Sequence, residues 1–128
     1  LGGDVAEGTM LNAAGDRDGA CWGKRAAWIA MSGSVDEAPV TIAIFDHPDN
    51  PRHPTWWHAR AYGLVAANPF GVHDFERKPE GTGDFVLEPG DVLRLRYRFV
   101  FATAHATPEQ VAEWHTEYAS PDPTEASP

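Results

Sequence analysis

A chain of 128 residues with 42% hydrophobic content is long enough for one domain with a core of its own. Its 19 acidic and 10 basic residues leave a net charge of −9, which argues against non-specific binding to nucleic acid or to an anionic membrane surface, since both need basic patches. No apolar run reaches the roughly 18 residues of a transmembrane helix, and a lone cysteine, Cys21, excludes an internal disulfide framework or a cysteine metal site while leaving periplasm and cytoplasm equally open.

Residues 1–20 are rich in glycine, alanine and aspartate without a clear period, which fits a loop or one weak strand, with Asp16-Arg17-Asp18-Gly19 as a turn signal. Cys21 to Met31 reads as a strand that carries Trp22 and Trp28 and ends at Ser32-Gly33-Ser34, with Cys21 a small buried hydrophobe. Val40 to Phe45 is β-branched and apolar, bounded by Pro39 and Asp46, and predicts a buried strand. Pro48, Pro51, Pro54 and Pro69 forbid regular pairing around them and push each preceding residue toward extended backbone. The segment after Phe45 is therefore a stiffened loop holding His47, His53, Trp56 and Trp57, followed by a strand from His58 to Ala66 and a closing Asn68-Pro69-Phe70-Gly71 turn.

Glu76 to Asp84 is a charged turn, Phe85-Val86-Leu87 begins a strand, and Glu88 to Asp91 turns it. Val92 to Ala102 alternates plainly, with Leu93, Leu95, Tyr97, Phe99 and Phe101 on one face and Arg94, Arg96 and Arg98 on the other. The arginine face is expected to be a solvated sheet surface paired with acids on a neighbouring strand. Thr107 opens a helix as N-cap, with Pro108 at the first helical position, Gln110 completing a capping box, and Val111, Trp114 and Tyr118 on one face. The helix should stop near Ser120, and residues 121–128 form a disordered tail. The chain is thus mainly β with a C-terminal helix, one domain over residues 1–120. Five or six strands are few for a closed β-sandwich, so the expectation is part of a larger one.

Chemistry concentrates between Phe45 and Phe75. That stretch holds four of the six histidines and two of the five tryptophans, a density that folding alone does not require. Three readings are open. In the first it is a carbohydrate site. Trp56, Trp57, Tyr62 and Phe70 supply rings on which a sugar face stacks, and Arg52, Arg60, Asn50 and Asn68 supply partners for hydroxyls. His53 and His58 are the acid/base candidates and His73 a third polar contact, with Asp46 or Asp74 to orient an imidazole. In the second, Asp46, His47, His53 and His58 bind zinc or non-haem iron, although no compact signature such as HExxH is present. In the third the imidazoles only hydrogen-bond buried carbonyls and the tryptophans only pack. His105 and His115 read as ordinary surface or helix residues, and Trp22, Trp28 and Trp114 as core.

The run IAIFDHPDNPRHPTWWHARAYGLVAANPFG, with WGKRAAWIAMSG upstream and RLRYRFVFATA downstream, resembles the PmoA-like proteins of bacteria, over residues 15–120. That family is named after a methane monooxygenase subunit, but a membrane monooxygenase would show long apolar spans, which this chain lacks. The resemblance implies a galactose-mutarotase-like supersandwich, a fold common among carbohydrate-active enzymes. It also implies that the N-terminal half of the domain is missing here. A saccharide is the ligand it implies; the cofactor, if any, stays open.

Overall fold

The computed structural model describes residues 8–60 and 64–120. The expected disordered tail and Tyr62 lie outside the described residues. Among the described residues there are six strands: β1 (Thr9–Asn12), β2 (Trp28–Val35), β3 (Ala38–Asp46), β4 (Trp56–Arg60), β5 (Leu64–Asn68) and β6 (Tyr97–Ala102). They are joined by two helices, α1 (Val72–Phe75) and α2 (Pro108–Ala119), and a 3-10 turn at Asp18–Cys21. Strands β1-β2-β3-β6 form one antiparallel sheet in that order, and β4-β5 form a separate antiparallel hairpin.

Strand β2 is buried on both faces, which is why its first half is a continuous apolar run with no alternation. One face of the sheet (Met10, Ile29, Met31, Ile44) packs on Trp57 and Ala59 of β4, with Val65 and Ala67 of β5 at the margin. The other face (Trp28, Ala30, Ala43, Phe45) packs on Val111 of α2, with Val100, Trp114 and Tyr118 around it. The result is helix, sheet and hairpin in three layers.

The β2–β3 connection is a two-residue turn at Asp36 and Glu37, whose φ values of 50° and 67° match the right-handed twist of the flanking strands. The chain therefore runs through Ser32-Gly33-Ser34 instead of ending there. Pro39 lies within β3, opposite Ser34, but β6 pairs only from Thr41 onward, so its missing N–H interrupts no ladder on that side. Helix α2 forms with the predicted cap: the Gln110 amide donates to the Thr107 hydroxyl at 3.1 Å, and the Thr107 amide donates to the Gln110 side chain at 2.9 Å.

Four expectations about strands need correction. Phe85-Val86-Leu87 belongs to no strand and is irregular backbone. Cys21 sits in the 3-10 turn and not in a strand, though it is fully buried. The segment His58 to Ala66 is two strands of a hairpin, with β4 beginning at Trp56. The long strand shortens to Tyr97–Ala102, and its aromatic face is open: Phe99 is 56% and Phe101 71% exposed. The reason is position. Strand β6 lies at the sheet edge, where α2 covers the Val100 face, and neither aromatic belongs to the core beneath the hairpin.

Burial, followed by the charges of Asp16 and Asp18, pushes the Cys21 thiol up from 9.0 to about 11. Native protein should therefore react with iodoacetamide near pH 8 about 100-fold more slowly than urea-unfolded protein, by thiolate fraction alone. Equal rates would refute the burial. Because the unfolded thiol ionises first, this contribution to stability is intact below pH 9.0 and is lost as the pH rises through about 11.

Candidate functional site

Asp46 closes β3 and is 1% exposed. A buried carboxylate needs donors, and the chain folds back to supply them. Oδ1 accepts from the Asn50 side-chain amide at 2.7 Å, and Oδ2 accepts from the Thr55 backbone N–H at 3.0 Å. The His53 Nδ1 lies 2.6 Å from the same Oδ2. An imidazole nitrogen that close to a carboxylate carries the proton, so neutral His53 keeps its lone pair on Nε2. Among the described residues Nε2 has no hydrogen-bond partner, and the side chain is 20% exposed, so solvent or a ligand reaches it. The arrangement is a histidine held in one tautomer by a buried acid, with its basic nitrogen outward.

The supports of this pair come from distant elements. Asn50 is itself buried and clips the loop to the approach of β6, donating to the Arg96 carbonyl at 2.6 Å and accepting from its N–H at 2.7 Å. His115 of α2 donates from Nε2 to the Asp46 carbonyl at 3.1 Å and meets the Phe45 ring edge-on. Arg25 binds the other side of the proline loop, with Nε to the Pro54 carbonyl and Nη2 to the Arg52 carbonyl. His115, expected to be an ordinary surface or helix residue, carries a signal that could have placed it: it stands four residues after Val111, on the same helical stripe as Trp114 and Tyr118. Nothing local signals Arg25, whose acceptors are 27 and 29 positions away. Burial, then the negative charge of Asp46, raises the Tyr97 phenol. Burial also raises Tyr118, in part against the pull of Arg98 and Arg96.

The other candidates have separate structural employment. Trp57 is fully buried, its indole N–H donating to the Ala26 carbonyl at 2.8 Å, so it is core and not a stacking platform. Trp56 is 6% exposed, bonded to the Glu76 carboxylate, and covered by the Arg25 guanidinium 4.3 Å from its ring centroid. Arg52 stands at φ 62° and directs its guanidinium to the carbonyls of Pro69, Gly83 and Asp84, which ties two loops together and leaves little for a substrate. Asn68 accepts from the Phe70 N–H at 3.0 Å, closing the turn. His73 faces the Lys78 carbonyl at 2.6 Å.

His58 and Arg60 point outward from β4, opposite to Trp57 and Ala59, as the period of two requires. There His58 lies between Trp22 and Phe75 with ring centroids 6.3 and 6.0 Å away, and Arg60 lies over the Trp22 ring at 4.8 Å. The Trp22 indole N–H is buried with no partner among the described residues. The acid/base pair expected from His53 and His58 is thus divided between the end of β3 and the outer face of the hairpin.

The expected metal ligands do not assemble. Asp46 meets only His53, while His47 packs its ring edge-on to Tyr118 and His58 is enclosed by aromatics. Among the described residues no group of three or more His, Cys, Asp or Glu side chains is placed to hold a metal ion. No helix among them is long and apolar enough to cross a membrane.

Comparison with curated proteins and with solved structures returns no match. Comparison with protein families matches residues 3–116 to a family of unknown function, DUF6807, and nothing in it indicates the PmoA-like proteins that the central motif resembles. The expectation of a PmoA-like identity is accordingly replaced: the match spans most of the chain, which belongs to the family of unknown function DUF6807.

Proposed function

We propose that this protein is carbohydrate-active and that His53 is its proton-transfer group. One observation carries the reading: the 2.6 Å contact between His53 Nδ1 and the buried Asp46, which leaves Nε2 as an oriented base. Acid–base steps on sugars, such as ring opening, epimerisation or elimination, need a group that takes a proton near neutrality, and an imidazole does so. Fixing its tautomer places the lone pair before substrate arrives and stabilises the imidazolium that forms. The reading includes a β-sandwich fold, which the packing of the hairpin on one face of the four-stranded sheet supports.

Titration calorimetry against neutral, amino and acidic monosaccharides and their short oligomers is the test. At least one class should bind with a Kd of roughly millimolar or tighter. His53→Gln should abolish turnover of a bound sugar while leaving its Kd within about threefold, as expected for a group that acts on the transition state. Absence of binding by every sugar class would reject the carbohydrate assignment. A His53→Gln protein with undiminished turnover would reject the role of His53.

A further inference from the structure

We infer that the free edge of β6 is a docking site for an extended strand that alternates apolar and acidic residues. The argument begins with backbone direction. The Arg96 N–H and carbonyl both bond the Asn50 side chain, on the β3 side of the chain. The period of two then turns the backbone groups of Arg98 and Val100 toward β3 and those of Tyr97, Phe99 and Phe101 away from it. The ladder of β3 agrees: the Asp46 N–H goes to Ala27 beside β2, so alternate residues Phe45, Ala43 and Thr41 bond Arg98, Val100 and Ala102. Strand β6 ends the sheet order, and the outward groups of Tyr97, Phe99 and Phe101 have no strand opposite them among the described residues. A row of unpaired amides and carbonyls is a template for another strand.

Side chains define which strand. Phe99 and Phe101 point to one face at 56% and 71% exposure, with Leu95 and Val92 exposed in the segment that leads into them. Contiguous exposed apolar surface of this kind marks an interaction site. On the opposite face Arg98 lies over Tyr118 of α2, preceded by Arg96 and Arg94, all exposed. Among the described residues the only ion pairs involve histidine, so none of these arginines meets a carboxylate. A strand added here places alternate residues over the two phenylalanines and the intervening ones beside the arginines. Apolar residues suit the first positions and glutamate or aspartate the second. A second copy of β6 fits poorly, because it would bring its own arginines to that face.

The test uses two blocked seven-residue peptides on the isotope-labelled protein, one alternating valine and glutamate, the other valine and lysine. The valine–glutamate peptide should shift the amide signals of Tyr97, Phe99 and Phe101 and slow their hydrogen exchange. The lysine peptide should bind at least about tenfold more weakly. Arg98→Glu, an exposed change, should reverse that preference; Arg96→Glu serves the same purpose if the first variant folds poorly. Equal binding of the two peptides would overturn the charge argument. Protection of these three amides in a dimer, without peptide, would overturn the choice of partner. No change at these amides would overturn the site.

Discussion

Trp57→Ala should destabilise the protein by about 3–5 kcal/mol, because it deletes the largest fully buried side chain among the described residues and leaves a cavity between the sheet and the hairpin. Trp57 sits in the cluster with Met10, Ile29, Met31 and Ile44, so it supplies much of the surface that holds β4-β5 against the larger sheet. Its backbone is committed as well: its N–H donates to the Lys24 carbonyl, and its own carbonyl accepts from Gly23 at 2.8 Å. Gly23 is at φ 72°, so the strand is anchored to a turn that only glycine adopts freely. Trp57→Phe separates the two contributions. It keeps most of the apolar volume but removes the indole N–H, leaving the Ala26 carbonyl without its donor, at a cost of about 1–3 kcal/mol. Urea denaturation followed by circular dichroism reads both variants. A Trp57→Ala midpoint near wild type at unchanged slope would mean that the hairpin is not docked as described.

That residue also shows why the site was only partly legible. Two adjacent tryptophans at the start of a strand must point to opposite faces, and here both are buried, Trp57 between the sheet and the hairpin and Trp56 under Arg25 and Glu76; the sequence carries no signal for that cover, and both were read as sugar platforms. Elements whose signals are local were readable. The Thr107–Gln110 cap and the Val40–Phe45 run depend on neighbours within a few positions, and both elements form where the pattern puts them. Asp46 and His53 are seven positions apart in a loop, close enough for a carboxylate to be named beforehand as an orienter of imidazole. Arg52, in contrast, was read as a substrate contact because its acceptors lie 17 to 32 positions away and are backbone carbonyls, which carry no residue-type signal. The β6 alternation identified which residues share a face, but alternation is blind to whether anything covers that face. The hairpin turn at Asp36-Glu37 escaped notice because positive φ is ordinarily announced by glycine or asparagine.

The second large effect belongs to Asp46. Asp46→Ala should cost about 3–5 kcal/mol, the range for stripping one partner from a buried charged network. The loss is not that of the histidine contact alone. It leaves one Asn50 amide hydrogen and the Thr55 N–H without their carboxylate acceptor, both inside the protein. It also loosens the clip from Asn50 to Arg96 that orients the entry to β6. His53→Ala should cost much less, about 1 kcal/mol, because the imidazole is partly exposed and Asp46 retains Asn50 and Thr55. Unequal costs from the two ends of one hydrogen bond are the expected sign of a carboxylate that organises the loop and of a histidine that the loop presents. Nitrogen-15 NMR of the His53 ring supplies a readout that stability does not. In the neutral wild-type ring, Nδ1 should carry the proton and Nε2 should not; in Asp46→Ala, provided it stays folded at low temperature, the ring should revert toward the Nε2–H tautomer that free imidazole side chains prefer. Asp46→Asn, with one acceptor oxygen kept, provides a milder variant for the same measurement. A wild-type ring already protonated on Nε2 would remove the basis for an oriented base, since the nitrogen facing outward would then be a donor with no lone pair to offer.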